Sequence, residues 1–490
     1  MGVIQRQGIK QSLVNYLGVL IGAVSVLFIY PLDPKSYGLA RFLIDGSLFL
    51  SPFLMLGFGG VSIKFFPQFK NEKNGHNGLL FIMLIAVLSA SLIFVLLAFL
   101  FKDFIYDLYA DKEVIITQFL PYFIPLAILM AILHLLNAYS TNFKRIVVPS
   151  IFQNLIKISL PALILLFIWK MISMTQMVNG IVLNYAIALI GMIVYIYFLG
   201  QLKLRPNFNL MDKPFKKEIR NYAMFGLFLG MGKVLAFRID SIMITTLLNV
   251  ESNGVFGIAA FIANAIVIPS NAITQIASPI VAQSFKDNDM AHINFLYKQS
   301  SINLLIAGLL LFVLVAASVE DLFALMPNKN LQGGIAVVLL IGFARIIDMG
   351  TSINNQIINY SKYYRFGFYA ILLLAFFNVT ANFLLIPKFH IVGAAVATLG
   401  SLALYNLVKY IFIYYRFGMQ PFTYKTLIII IVAIVSYLAV YWIPLSGVVV
   451  ADIIIRSLII AGIYIPVVLY FKISPEINEM ANQFFRRILK

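Results

Sequence analysis

The sequence predicts an all-α polytopic membrane protein: about fourteen transmembrane helices, as two six-helix lobes from an internal duplication plus two extra C-terminal helices. Three observations predict it. Hydrophobic residues make up 61% of the 490 residues and charged residues only 11%, where a soluble domain carries about 25% charge. The apolar residues fall in runs long enough to cross a bilayer, which needs about 20 residues per helix. The second half of the chain also repeats polar landmarks of the first in the same order.

The spanning runs are 11–31, 38–62, 79–101, 116–140, 147–169, 178–199, 221–248, 254–283, 300–318, 334–360, 364–386, 391–414, 426–444 and 449–471. The first is of spanning rather than signal length, so it reads as a retained helix. With the N-terminus in the cytoplasm, and with Arg365 at the edge of its run counted with the loop before it, 23 of the 36 Lys and Arg fall in inside loops and tails and 6 in outside loops. That split follows the positive-inside rule. It places both termini inside the cytoplasmic (inner) membrane and explains the net charge of +17 as topology. Nucleic acid is not the expected partner.

Taken in order, the first run holds Asn15 and no acid, and LDPKSYG (32–38) follows as an outside turn. The second run carries Arg41 and Asp45, and a basic inside loop follows it. KDFIYDLYADKE (102–113) reads as a short amphipathic outside piece. Lys157 lies in the fifth run. The inside loop after the sixth run is broken by Pro206 and Pro214 and reads as a connector. The seventh run, NYAMFGLFLGMGKVLAFRIDSIMITTLL, carries Lys233, Arg238 and Asp240. After the polar break NVESNG, the eighth carries Asn264, Asn271 and Gln275, too polar a set to face lipid.

LDPKSYG aligns with LNVESNG (248–254) at an offset of 216, and NAYSTNFKR (137–145) with INYSKYYRF (358–366) at 221. Six helices per repeat make the copies parallel, related by an axis along the membrane normal. The expected organisation is a lobe over 1–200, a cytoplasmic connector over 201–220, a second lobe over 221–416, and helices 13 and 14 with a cytoplasmic tail over 417–490.

Charges within the runs are the candidate functional groups, because each costs about 2.5–3.5 kcal/mol at mid-bilayer and normally faces protein or water. Arg41–Asp45 and Asp452–Arg456 have i,i+4 spacing, and Arg345–Asp348 i,i+3, so each pair can neutralise itself on one helix face. Lys233 and Asp240, two turns apart, share a face, while Arg238 points elsewhere. Lys157 and Lys409 have no acid within four residues. Lys409 is close enough to the end of its run to snorkel. The surplus of positive charge suits an anionic substrate.

There is no cysteine, which excludes disulfides and thiolate chemistry. The four histidines lack metal-ligand spacing, and no phosphate loop, nucleophile elbow or HExxH occurs. No cofactor, metal site or catalytic residue is expected, and an enzyme is not the reading.

The patterns SLVNYLGVL…PLDPKSYGLARF and FRIDSIMITTLLNVESNGVFGIAAFIAN resemble those of the O-antigen-type polysaccharide flippases of the multidrug/oligosaccharidyl-lipid/polysaccharide (MOP) exporter superfamily. The resemblance implies two lobes around a central cavity lined by helices 1, 2, 7 and 8. It also implies movement of undecaprenyl-diphosphate-linked oligosaccharide across the membrane by alternating access, for polysaccharide or O-antigen (lipopolysaccharide) biosynthesis. On it, Arg41, Lys233, Arg238, Asn15, Asn264, Asn271 and Gln275 are the expected substrate-binding residues. Asp240 is the carboxylate best placed for coupling to H+ or Na+. Lys157, Arg345, Asp348 and Lys409 are structural or cavity charges. Expected partners are the lipid-linked oligosaccharide, membrane lipids and a polysaccharide polymerase or assembly complex. The alternatives are an ion-coupled multidrug antiporter of the same superfamily, against which the acid-free first helix counts, and a non-transporting scaffold.

Overall fold

In the computed structural model, the described residues are Val14 and 17–488, apart from 73, 110, 111, 144, 146, 208–211, 329, 330, 332 and 443–446. Of the described residues, 87% are helical and none is in a strand. The chain divides into two compact units, Met1–Gly257 and Ile258–Lys490.

The first unit contains α1 (Leu17–Leu32) and then α2 (Pro34–Met55), α3 (Phe58–Phe69), α4 (Leu79–Leu100), α5 (Lys102–Leu108), α6 (Val114–Phe119), α7 (Phe123–Thr141), α8 (Val147–Ile168), α9 (Met174–Phe198) and α10 (Lys213–Leu247). Helix α11 (Val250–Asn264) runs across the division. The central helix of this unit is α2, which packs against both α7 and α10. One apolar core joins Leu54, Phe65, Met83, Tyr139 and Met192 with Ile219 and Ala223 of α10.

The second unit contains α12 (Ile268–Lys286), α13 (Met290–Ala324), α14 (Gly334–Thr351), α15 (Asn354–Tyr360), α16 (Tyr364–Phe417), α17 (Tyr424–Tyr441), α18 (Val449–Tyr470) and α19 (Pro475–Ile488). Its main core lies where α13 meets α17 and α18, around Leu304, Ile429, Ile460 and Tyr464.

Eleven described helices are long and apolar enough to cross a membrane, fewer than the fourteen expected runs. Two uncounted runs and one merger of two runs account for the difference. The first belongs to α1, part of which lies outside the described residues. The seventh belongs to α10, whose charges dilute its apolar character. The eleventh and twelfth are joined in α16, bent at His390 (φ 51°, ψ −136°). At 1.5 Å per residue, its 54 residues make about 80 Å, too long for one crossing.

Two expected loops are helical. LDPKSYG is helix from Pro34, because the Asp33 carboxylate accepts from the N–H groups of Lys35 and Ser36. NVESNG is helix from Val250, and Asn249 Oδ1 accepts from the Ser252 N–H. Asp33 and Asn249 are separated by the same 216 residues as the aligned glycines. The packing is reciprocal as well. A Cβ on Gly38 would collide with the Val250 carbonyl, and one on Gly254 with the Pro34 carbonyl. Pro34 and Val250 are again 216 apart. Repeat-equivalent residues thus meet across a local twofold, which only glycine permits at this approach.

Two runs expected to be continuous are broken. The second splits at Leu56 and Gly57, both with positive φ, bringing Gly57 against the Ala223 backbone of α10. The tenth splits into α14 and α15 at Ser352 (φ 48°).

Candidate functional site: charge clusters within the spans

The first cluster is built on α2 and α10. Small residues at Gly38, Gly46, Ser47 and Ser51 let neighbours approach α2 closely. On the same helix Arg41 and Asp45, one turn apart, form the expected pair: Arg41 Nε donates to Asp45 Oδ2 at 3.2 Å. Asp45 has a second partner. Arg238 Nη1 donates to its other oxygen, Oδ1, at 2.8 Å.

The carboxylate is 2% exposed and the Arg41 side chain 18%, whereas the Arg238 side chain is 51% exposed. The trio carries a net charge of +1, and its open part is a guanidinium. Arg41 is held further by the Asn253 carbonyl at 3.5 Å and by the Phe256 ring, 5.4 Å from its carbon to the centroid. Asn253 Nδ2 donates in turn to the Gly38 carbonyl at 3.1 Å. The first turn of α11 therefore fixes the Arg41 end of the cluster.

Asp240 is buried on α10, half a turn beyond Arg238. Lys233 lies on the same helix, but its side chain is outside the described residues. Asn15 also lies outside them. Lys157, on α8, is exposed; its Nζ lies 3.3 Å from where a Cβ on Gly18 of α1 would stand.

A second cluster lies wholly in the other unit. Lys409 of α16 is fully buried, which corrects the expectation that it snorkels. Its burial is supported by polar side chains on the broken tenth run. Lys409 Nζ donates to Asn354 Oδ1 and Asn355 Oδ1, both at 3.1 Å, and sits 3.6 Å from the centroid of the Tyr405 ring. Asn354 Nδ2 donates to Asn406 Oδ1 at 3.3 Å, and Asn406 Nδ2 donates to Asp348 Oδ1 at 3.0 Å. Two amides thus link a buried ammonium to a carboxylate. Thr351 adds a bond to Asn406 at 2.9 Å.

Arg345 Nε donates to Asn264 Oδ1 at 2.9 Å, so that expected sugar-binding amide meets a cation of its own unit. Asn271 and Gln275 are exposed on α12. The Asp452–Arg456 spacing also acquires a partner from elsewhere: Arg456 Nη1 donates to Asp321 Oδ2 of α13 at 2.9 Å and to the Ala317 carbonyl at 2.8 Å.

Sequence spacing finds the Arg41–Asp45 bond but leaves Arg238 without a partner. The Asp45–Arg238 bond spans 193 residues. A pairing signal exists only in the count: the first lobe's α2 and the charged α10 each bring cations, and Asp45 is the buried acid that serves both.

The comparisons with known proteins agree with this fold. Residues 6–285 match the family model described as polysaccharide biosynthesis protein. An uncharacterized membrane protein of Methanocaldococcus jannaschii, MJ1068, is 21% identical over 98% of both chains. Among solved structures, the lipid II flippase MurJ in an inward closed conformation is 14% identical, with a TM-score of 0.70 over 98% of this chain and 100% of that one. An inward-facing multidrug resistance MATE family transporter of the MOP superfamily is 10% identical, with a TM-score of 0.64 over 82% of this chain and 94% of that one. The likeness to these two solved transport proteins is one of fold, and the family match covers more than half of the chain. The chain belongs to the polysaccharide biosynthesis protein family.

Proposed function

We propose that the protein is a flippase that moves an undecaprenyl-diphosphate-linked oligosaccharide across the cytoplasmic membrane by alternating access, for polysaccharide or O-antigen assembly. One observation carries the reading. Asp45 is shared by Arg41 and Arg238, so it neutralises one guanidinium, and the half-exposed Arg238 keeps charge free for an anion. A diphosphate is a poor solute in a bilayer, and a guanidinium fixed in a low-dielectric setting attracts it and matches its oxygens in a planar fork. Lys233 adds a second cation along α10, and Asn15, Asn271 and Gln275 supply amide groups suited to sugar hydroxyls. Asp240 is the coupling carboxylate for H+ or Na+. Both termini and the connector lie on the cytoplasmic side, and a polysaccharide polymerase receives the product.

The test is translocation by the purified protein in liposomes. Fluorescent lipid-linked oligosaccharide should cross to the opposite leaflet only in vesicles containing the protein. Vesicles that instead export cationic drugs and leave that lipid in place would show an antiporter. Vesicles that move neither, with the protein properly folded, would show a scaffold.

A further inference from the structure

The last helix, α19, is an element that the transport reading does not use. At 100° per residue, positions Ile477, Met480, Ala481, Phe484, Phe485 and Ile488 fall on one stripe about 140° wide. Asn478, Glu479, Asn482, Gln483, Arg486 and Arg487 occupy the remainder of the circumference. No apolar residue from 476 to 488 lies outside the stripe, and no polar one lies within it. The described part agrees with the pattern. Glu479, Asn482 and Gln483 are exposed, and Ile477 packs against the core of its unit.

The start of α19 is fixed at the end of a membrane span. Helix α18 ends at Tyr470 and displays Ile454, Leu458 and Ile465 to its surroundings, as a lipid-facing helix does. Tyr470 and Phe471, both strongly exposed, mark the aromatic level at which a span meets the headgroups. The turn that follows is built rather than loose. Lys425 Nζ donates to the carbonyls of Lys472 and Ile473, at 3.3 and 2.9 Å. Asn478 Nδ2 donates back to the Leu469 carbonyl at 2.7 Å. Ser474 Oγ accepts from the Ile477 N–H and bonds to the Glu476 carboxylate, which Asn303 of α13 also meets. An amphipathic helix therefore leaves a lipid-facing span within five residues of its end, at interfacial depth.

Charge decides what covers the stripe. Both acids of α19, Glu476 and Glu479, lie in its first turns, and Glu476 is already engaged. The far half carries Arg486 and Arg487 and no acid. Position 487 borders the apolar stripe, and arginine is a residue type suited to the edge between acyl chains and headgroups. An apolar stripe rich in phenylalanine with arginines at its far end suits an anionic leaflet. A protein groove would not require the arginines.

We propose that α19 is an interfacial helix that lies along an anionic phospholipid surface, its apolar stripe beyond Ile477 at the acyl boundary and Arg486 and Arg487 at lipid phosphates. It would fix the last span in depth and rotation. The inference does not depend on the transported substrate.

The cysteine-free full chain permits a direct test by spin labelling in nanodiscs. Labels are placed at Phe484→Cys on the stripe and Asn482→Cys opposite it, and collisions with oxygen and with a water-soluble nickel chelate are measured. In phosphatidylglycerol-rich discs the 484 label should favour oxygen several-fold over nickel, and the 482 label should show the reverse. Adding Arg486→Gln and Arg487→Gln should shift the 484 label toward water. That shift should shrink when phosphatidylcholine alone is used. A 484 label shielded from both agents would put the stripe against protein, and nickel-dominated relaxation at both positions would put the helix in solvent; either overturns the proposal. So does an arginine effect of equal size in both lipids.

Discussion

Arg238 Nη1 on α10 lies 2.8 Å from Asp45 Oδ1 on α2, and Arg41 holds the other oxygen of the same carboxylate. The two guanidiniums are not equivalent. Arg41 is mostly enclosed and has further contacts with Asn253 and Phe256, whereas half of Arg238 remains open. Arg41 is enclosed within the cluster, and on the proposed function the open half of Arg238 is what meets a ligand.

Asp45→Asn removes the charge on which both arginines rely. Breaking a buried pair from one side costs about 3–5 kcal/mol, and Asp45 is the buried member. The variant should fall several-fold in membrane abundance and lose thermal stability in detergent. Arg238→Gln should lose far less, because that side is half solvated and an exposed pair is worth about 0–1 kcal/mol. Equal losses in the two variants would mean that Asp45 and Arg238 contribute equally to stability.

In the second unit, Asn406 is the linking residue: it bonds Asp348, Thr351 and Asn354 together. Asn406→Leu would leave several buried groups unsatisfied at about 1–3 kcal/mol each. It should lower the melting temperature more than Lys409→Gln, which retains a polar group beside Asn354 and Asn355. A melting curve for Asn406→Leu like that of the unsubstituted protein would mean the amide relay contributes nothing.

Much of this was legible in the chain, for identifiable reasons. Apolar runs come from local composition, which a bilayer imposes directly, and the 216-residue offset comes from polar landmarks matched between the two halves. The Arg41–Asp45 bond was legible because i,i+4 spacing is a property of one helix. The Asp45–Arg238 bond was not, because it depends on how α2 meets α10. Lys409 was misread because nearness to a run's end suggests snorkelling, while the break at Ser352 that carries Asn354 and Asn355 to it leaves no spacing signal. The two polar heptads at 32–38 and 248–254 read as loops from composition. Their caps at Asp33 and Asn249 make them helix starts instead.

Gly38 and Gly254 offer a test of the reciprocal contact between repeats. Alanine at either position places a methyl group against a backbone carbonyl that has no rotamer to yield. Gly38→Ala and Gly254→Ala should each lower the melting temperature, and the double variant should lose less than the sum, since one displacement of α2 from α11 relieves both. Strict additivity would show that the two contacts are independent.

Topology is testable in intact cells through the same absence of cysteine. An impermeant maleimide should label Lys102→Cys in α5 and spare Lys217→Cys in α10. The opposite pattern would invert the protein in the membrane.

The most direct measurement is binding of an undecaprenyl diphosphate analogue, alongside glycan export, in variants matched for expression. Lys233→Gln and Arg238→Gln remove charge while keeping polar side chains of similar length, and each should weaken binding about tenfold or more, as expected for losing a charge-assisted contact of about 1.5–3 kcal/mol. Export should fall with it, and Lys233→Arg should retain more of both than Lys233→Gln. Asp240→Asn should bind the analogue normally and fail in ion-driven turnover. If both glutamine variants bind and export like the unsubstituted protein, the cations do not hold the diphosphate, and the account of the site is wrong.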